Sequence, residues 1–405
     1  MEKIYIIQPI TEDNAEKYRV LQEEAVSLIE SAGAAYAGTI YQNVREINPA
    51  TFIGEGKLRE LKERLYGLDE ITVLFNGELS PSQTLNISAA LDNRKVIDRT
   101  TLILDIFAKN AQSSEGKLQV ELAQLKYIYP RLKGKGEALS RLGGGVGTRG
   151  PGETQLETDR RYIRGRLKYL EQRLRETEKR RSLQTVRRKK DAVKTIALVG
   201  YTNTGKSTLL NLLTGSDVYV KNELFATLDP TARSFSVNDA EFLLVDTVGF
   251  LQDLPHNLIE AFKSTLEEAA FAYVIVNVAD AGDAQAAEQL AVTDEVLGSL
   301  DCTDIPQLVV YNKCDTANTV AFDPDILLTS AKTGYGLPAL LAKLDEVLNH
   351  RVRTIEIVLP YDKLALADIL RSRGSVAAEE YREDGVYYRG TVKIDDLHRF
   401  EEFLV

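Results

Sequence analysis

Residues 194 to 210, Lys-Thr-Ile-Ala-Leu-Val-Gly-Tyr-Thr-Asn-Thr-Gly-Lys-Ser-Thr-Leu-Leu, constrain this chain more than any other stretch. The apolar run Ile196 to Val199 reads as a buried strand, and it breaks at Gly200 into a Gly-x-x-x-x-Gly-Lys-Ser loop that opens a helix. Glycines at 200 and 205 let backbone N–H groups turn inward on phosphates, and the next helix offers them the positive end of its dipole. The loop residues Tyr201, Thr202, Asn203 and Thr204, with Thr208 just beyond, are expected to surround a bound nucleotide. Lys206 should reach the β- and γ-phosphates, and the Ser207 hydroxyl should bind Mg2+. An ordinary strand-turn-helix corner needs one glycine and no Lys-Ser pair.

A phosphate loop does not name the base, but the downstream chain does. Asp246-Thr-Val-Gly249 follows the apolar run Phe242 to Val245, which sets a carboxylate at a strand end where it can hold Mg2+. Gly249 can offer its N–H to a γ-phosphate. Asn312-Lys313-Cys314-Asp315 follows the strand Gln307 to Tyr311, and the Asp315 carboxylate can accept hydrogen bonds from N1 and N2 of guanine, which adenine cannot supply. Ser330-Ala331-Lys332 ends a strand at Ile326 to Thr329 and would close the base pocket with a backbone N–H to guanine O6. Each piece alone is weak; four in this order, each at a strand's carboxyl end, are specific.

Between the loop's helix and the next strand lies Phe225-Ala-Thr-Leu-Asp-Pro-Thr231, a polar connection with two threonines. A hydroxyl here, Thr227 or Thr231, is expected to complete the Mg2+ shell when a γ-phosphate is present, so that losing the phosphate frees the segment. The position after Gly249, where many such enzymes carry a water-orienting glutamine, is Phe250, which predicts slow intrinsic turnover. Asn203 stands where some slow enzymes hold a potassium ion; it reads equally as a turn residue chosen for backbone tolerance.

The length of 405 residues predicts two to four domains, with boundaries expected at 1–112, 113–192, 193–350 and 351–405. Formal net charge is −10, unevenly spread: residues 131–194 hold 20 Lys plus Arg against 8 Asp plus Glu, so this arm carries +12 and the remainder −22. An acidic body with one basic arm points to a polyanion, and RNA fits better than a membrane surface. Cys302 and Cys314 form no disulfide or metal pattern. No run of about 18 apolar residues occurs, so a soluble, cytoplasmic protein, monomeric in solution, is expected.

From the start, strands are expected at Ile4 to Ile10, Ala34 to Tyr41, Ile71 to Phe75 and Lys95 to Asp98, and helices at Asn14 to Ser31, Glu55 to Tyr66, Pro81 to Asp92 and Thr100 to Asn110. That order implies a small parallel α/β domain. Gly54-Glu-Gly-Lys57 is the wrong spacing for a phosphate loop and reads as a helix start. A helix over Gly116 to Pro130 then leads into residues 132–153, where eight glycines and a proline predict a flexible cationic loop. Arg141, Gly143, Gly144, Gly145, Arg149 and Gly150 would meet RNA there, if the loop is more than a linker. A second helix from about Thr154 carries Ile163, Leu167, Leu170 and Leu174 at spacings of 4, 3 and 4, the stripe of a helical hairpin or short coiled coil. Its outer face bears Arg160, Arg161, Arg164, Arg166, Arg173 and Arg175, after which the chain is expected to turn through Arg187-Arg-Lys-Lys190. These charges are a solvated face or an RNA-contacting lever. Leu337 to Leu348 reads as a last helix, and the tail from Thr354 as a small α+β domain with a hairpin turn at Asp384-Gly385.

The chain resembles the HflX family of ribosome-associated GTPases over nearly its whole length. The resemblance is carried by Ile97-Asp-Arg-Thr100, Leu104-Asp-Ile-Phe107, Gln119-Val-Glu-Leu-Ala-Gln-Leu125, Tyr129-Pro-Arg-Leu132, Leu139-Ser-Arg-Leu-Gly-Gly-Gly145 and Arg149-Gly-Pro-Gly-Glu-Thr154. In the nucleotide domain it is carried by Phe225-Ala-Thr-Leu-Asp-Pro-Thr231 and Asp246-Thr-Val-Gly-Phe250. It implies an α/β architecture: an N-terminal parallel α/β domain with a helical hairpin, a Ras-like P-loop GTPase domain and a small α+β C-terminal domain. It also implies that Thr227 is the switch threonine, that Phe225 lies beside the nucleotide, and that Lys206, Thr227 and Gly249 serve hydrolysis. The implied partner is the large ribosomal subunit and its RNA, with the glycine-rich loop near the peptidyl-transferase centre. The implied role is dissociation or rescue of stalled ribosomes under stress. A nucleotide-dependent RNA-remodelling enzyme and a non-enzymatic adaptor read by its GTP state are the alternatives.

Overall fold

A computed structural model describes the chain except for residues 69, 141–150, 191–193, 216–223, 226–230, 238–239, 248, 252–268, 301, 317–325 and 350–351. The described chain forms two compact units. One holds residues 1–177 together with 221–229 and 251–263, and the other holds the rest.

The first unit opens on a four-stranded parallel sheet of β1 (Lys3–Ile10), β2 (Ala35–Asn43), β3 (Ile71–Phe75) and β4 (Val96–Asp98), in the order β2-β1-β3-β4. Strands covered on both faces need apolar residues at every position, and Ile71–Phe75 is buried throughout. The helices α1 (Tyr18–Ala32), α2 (Glu55–Arg64), α3 (Pro81–Ala90) and α4 (Arg99–Asn110) connect and cover it. Gly54 is the N-cap of α2, the helix start its spacing predicted. Ser80 and Gln83 form a capping box on α3, and Asp98 caps α4 by accepting from the Thr101 N–H at 3.0 Å.

The unit continues into two long helices, α5 (Ser114–Ser140) and α6 (Pro151–Lys190), which the second unit takes over after Thr177. Leu122, Leu170 and Leu174 are buried together, flanked by Leu118, Leu125 and Leu167, so the apolar stripe does make a helical hairpin. Three sequence expectations change here. Helix α5 runs on through Pro130 and through Gly134 and Gly136, so residues 132–140 are helical and not loop. Helix α6 begins at Pro151, where proline's missing N–H has no partner to lose, and it continues through Arg187–Lys190 with no turn. Arg166, expected on the free outer face, instead makes a paired contact with Glu121 of α5 at 2.6 and 2.7 Å.

In the second unit a six-stranded sheet has the order β10-β9-β8-β5-β7-β6. Its strands are β5 (Lys194–Val199), β6 (Thr231–Val237), β7 (Ala240–Asp246), β8 (Val274–Asp280), β9 (Gln307–Asn312) and β10 (Leu327–Leu328). All neighbours are parallel except β6 and β7. The sequence reading placed neither β6 nor β8, nor the helix Ala286–Ser299. Thr231, expected in a polar connection, instead opens β6 and pairs across to Asp246. Ile196, Leu198, Leu209, Leu210, Val274, Val276 and Val310 form the core against the helices α7 (Lys206–Thr214) and Leu337–Asn349. A three-stranded antiparallel sheet, β11 (Val352–Leu359), β13 (Gly385–Lys393) and β12 (Ser375–Arg382) in that order, closes on the helix Ala365–Arg373. Among the described residues no helix is long and apolar enough to cross a membrane.

Candidate nucleotide-binding site

The β5 strand stops because Gly200 takes φ 137° and comes so close to β8 that a Cβ there would lie 2.3 Å from the Val278 carbonyl oxygen. Gly205, at φ 91°, ends the loop and begins α7; a Cβ on it would sit 2.3 Å from the Asn312 amide nitrogen. Between them the loop folds back on itself. Thr204 Oγ1 donates to the Tyr201 carbonyl at 3.0 Å, and the buried Lys206 ammonium donates to the carbonyls of Gly200 at 3.0 Å and Tyr201 at 2.6 Å. Burial is the first cause that lowers Lys206 to a pKa of about 8, Lys313 lowers it further, and the Asp246 carboxylate pulls the other way. A buried ammonium whose hydrogen-bond partners among the described residues are carbonyls is poised to take up an anion.

Ser207, in the first turn of α7, places Oγ 2.6 Å from Oδ2 of Asp246, which the end of β7 buries. Two oxygen donors converging at the mouth of a phosphate loop suit Mg2+, a hard cation held by few protein oxygens plus substrate phosphates. Thr227 lies outside the described residues. Gly249 packs against the loop, where a Cβ would lie 2.8 Å from the Thr202 Cα and 3.0 Å from Lys206 Nζ. The next residue, Phe250, donates its N–H to the Gly200 carbonyl at 3.1 Å, and its own carbonyl accepts from Thr202 N–H at 2.8 Å. Its ring is buried and cannot orient a water.

The base-reading loops are tied to the phosphate loop by one side chain. Asn312, at the end of β9, donates its amide to the Thr204 carbonyl at 2.8 Å and accepts from the Ala331 N–H at 2.9 Å. Lys313, at φ 61°, pairs with Asp280 at 2.9 Å. The Asp315 carboxylate accepts from Ser330 Oγ at 2.7 Å, a bond that heads the causes holding its pKa below the usual carboxylate range. Ionised Asp315 is thus aimed by Ser330, leaving acceptor capacity for a base. Lys332 adds positive charge beside it.

The structure therefore gathers Gly200, Tyr201, Thr202, Thr204, Gly205, Lys206, Ser207, Asp246, Gly249, Asn312, Lys313, Asp315, Ser330 and Ala331 about one loop, with Thr208 in the next helical turn. Asn203 is exposed at φ 60°, a conformation asparagine tolerates. Phe225 is not among the gathered residues. It packs in the first unit, its ring against Phe107. Of the expected RNA-contacting residues, Arg141, Gly143, Gly144, Gly145, Arg149 and Gly150 lie outside the described residues, whereas Arg160, Arg161 and Arg164 lie on α6. Arg164 meets the Tyr129 hydroxyl of α5 at 2.8 Å.

The sequence reading also missed a polar cluster at the carboxyl edge of the first sheet. Asp98 accepts from the Tyr127 hydroxyl and from Arg131 of α5, while Arg99 bonds Asn76 at 3.0 Å and Glu24 of α1. Burial and the Asp98 carboxylate together push the Tyr127 phenol up. The run Ile97-Asp-Arg-Thr100 was visible as a family signature, but its partners lie 23 to 75 residues away.

Comparisons with known proteins match three stretches of the chain. Residues 20–108 match the family described as GTP-binding GTPase N-terminal, residues 110–188 the GTP-binding GTPase Middle Region, and residues 195–313 the 50S ribosome-binding GTPase family. GTPase HflX of Caldanaerobacter subterraneus is 46% identical over 396 residues, covering 97% of this chain and 91% of that one. GTPase HflX of Escherichia coli is 42% identical over 374 residues, covering 90% of this chain and 87% of that one. Among solved structures, a GTP-binding protein from Sulfolobus solfataricus in complex with GDP is 25% identical, covers 86% of this chain and 99% of that one, and has a TM-score of 0.47.

Proposed function

Since the chain belongs to the HflX family of GTP-hydrolysing enzymes, we propose that it binds the large ribosomal subunit and couples GTP binding and hydrolysis to ribosome dissociation or rescue under stress. The observation that carries the guanine half of this reading is the Ser330-aimed Asp315 carboxylate, joined through Asn312 to the phosphate loop. The ribosomal half rests on the basic helical arm and on the 50S ribosome-binding description of the matched family.

In this reading the loop N–H groups and Lys206 hold the β- and γ-phosphates, and the Gly249 N–H reaches the γ-phosphate. Ser207, Asp246 and Thr227 would hold Mg2+, which offsets phosphate charge when bound. Lys206 must carry its proton to do this, and bound phosphate charge favours that protonated form. With Phe250 in the water-orienting position, turnover by the chain alone is slow, and contact of the arm with ribosomal RNA supplies the missing order. Arg141, Gly143, Gly144, Gly145, Arg149, Gly150, Arg160, Arg161 and Arg164 are the proposed RNA contacts. The protein works in the cytoplasm, where ribosomes are.

The test is GTP hydrolysis with and without purified large ribosomal subunits, by the intact chain and by a version lacking residues 143–152. The expected result is a slow rate that rises at least about tenfold with subunits, equivalent to about 1.4 kcal/mol off the barrier, and falls back on deletion. A rate indifferent to subunits in both chains would refute ribosomal activation.

A further inference from the structure

Tyr201 and Phe250 face each other in a short parallel bridge. It is closed by the Phe250 N–H on the Gly200 carbonyl at 3.1 Å and by the Thr202 N–H on the Phe250 carbonyl at 2.8 Å. The bridge sets Gly249 against Thr202. A Cβ on Gly249 would lie 2.8 Å from Thr202 Cα and 2.8 Å from its Cγ2, so only glycine lets the two segments come this close.

The neighbouring hydroxyls are committed within the protein. Thr204 Oγ1 donates to the Tyr201 carbonyl at 3.0 Å, Thr247 Oγ1 donates to the Leu198 carbonyl at 2.8 Å, and Ser207 Oγ lies 2.6 Å from Asp246. Thr202 differs. Its residue is 7% exposed, its Oγ1 is buried, and among the described residues that oxygen has no hydrogen-bond partner. Burying an unpaired hydroxyl costs stability that a valine of the same shape would not lose. The cost is borne where Oγ1 stands two bonds from the Cα that Gly249 touches.

We propose that Thr202 is a catalytic residue whose Oγ1 holds the attacking water, the task for which the Phe250 ring offers no hydrogen-bonding group. The proposal rests on the reading that the Gly249 N–H meets the γ-phosphate. In that reading the γ-phosphate already has Lys206 and Gly249, whereas the water has nothing from Phe250. A hydroxyl suits the task because it accepts from one group and donates to another at once, here from the water and to a γ-phosphate oxygen. In the step itself the water oxygen bonds to the γ-phosphorus as the bond from phosphorus to the β–γ bridging oxygen breaks. That electron pair leaves on GDP, the water's proton passes to the phosphate, and Thr202 returns unchanged. Losing the hydroxyl therefore slows hydrolysis without weakening the hold on either nucleotide.

The test uses the full chain with Mg2+, as wild type, as Thr202→Val, which keeps the shape and removes the hydroxyl, and as Thr202→Ser, which keeps the hydroxyl. Single-turnover GTP hydrolysis should slow roughly tenfold or more in Thr202→Val and stay within about threefold of wild type in Thr202→Ser. Affinities for GDP and for a GTP analogue with nitrogen bridging its β- and γ-phosphates should be unchanged in both. Without nucleotide, the urea midpoint of Thr202→Val should equal or exceed that of wild type, since the unpaired hydroxyl is gone. An unchanged hydrolysis rate in Thr202→Val would overturn the proposal. So would weaker analogue binding with GDP unaffected, which makes the hydroxyl a γ-phosphate ligand only, and so would a lowered midpoint, which gives it a partner in the protein. Gly249→Ala tests the reading beneath: analogue binding and hydrolysis equal to wild type there would overturn the placement of the γ-phosphate, and the proposal with it. Loss in Gly249→Ala beside an unchanged Thr202→Val would overturn the proposal alone.

Discussion

Lys206 makes the apo-protein's stability depend on pH in a direction opposite to that of most lysines. Its ammonium is buried among carbonyls, and burial brings its pKa from the ordinary 10.5 to about 8. Below pH 8 both the folded and the unfolded chain carry the proton, and the folded one bears the full cost of a buried cation. Between pH 8 and 10.5 the folded chain sheds the proton while the unfolded chain keeps it, so stability rises with pH through that window and levels off above it. A shift of this size is worth about 3 kcal/mol at 1.36 kcal/mol per unit. The assay is urea denaturation of the nucleotide-free chain and of Lys206→Met at several values between pH 7 and 10.5. The variant cannot titrate there, and subtracting it cancels tyrosines and other lysines. The difference, wild type minus variant, should climb by about 3 kcal/mol across the window, and saturating GDP should shrink the climb because phosphate charge keeps the ammonium protonated. A difference flat from pH 8 to 10.5 would refute burial as the cause.

Two further outcomes are expected. Asp315→Asn should cost guanine nucleotides on the order of a hundredfold or more in affinity and shift preference toward xanthine nucleotides, while Ser330→Ala, which removes only the 2.7 Å bond aiming that carboxylate, should cost roughly tenfold or less; GDP and XDP titrations read both. Leu170→Ala, at a fully buried position of the helical hairpin, should destabilise the packing of α6 on α5 by about 2–4 kcal/mol, seen as faster hydrogen exchange around Leu122 with GDP binding unchanged.

The nucleotide site was legible because it is written in short runs: four motifs, each within a few residues of a strand end, where local spacing is itself the geometry. The first sheet was legible for a similar reason, since its strands are continuous apolar runs such as Ile71–Phe75. What escaped has non-local causes. Gly134 and Gly136 looked like loop residues, but a helix already nucleated from Ser114 propagates through them at about 1 kcal/mol each. The roles of Asp98 and Arg99 depend on Tyr127, Arg131, Asn76 and Glu24, and the packing of Phe225 on Phe107 and Asn110, residues distant in the chain that no window of sequence brings together. The strand Val274–Asp280 is a different case. It is buried and apolar at nearly every position, and it carried a signal that the motif-led reading passed over.

Asn312 binds the base-reading half of the site to the phosphate-reading half, its amide nitrogen on the Thr204 carbonyl and its amide oxygen on the Ala331 N–H. The two halves are therefore braced by a neutral strut, an amide that does not itself titrate. A carboxylate in the same place would keep the second bond and set its charge against a carbonyl at the first. Guanine and phosphate affinities are therefore linked at this one residue: a substitution that removes the Asn312 amide disturbs the seat of the base and the cradle of the phosphates together.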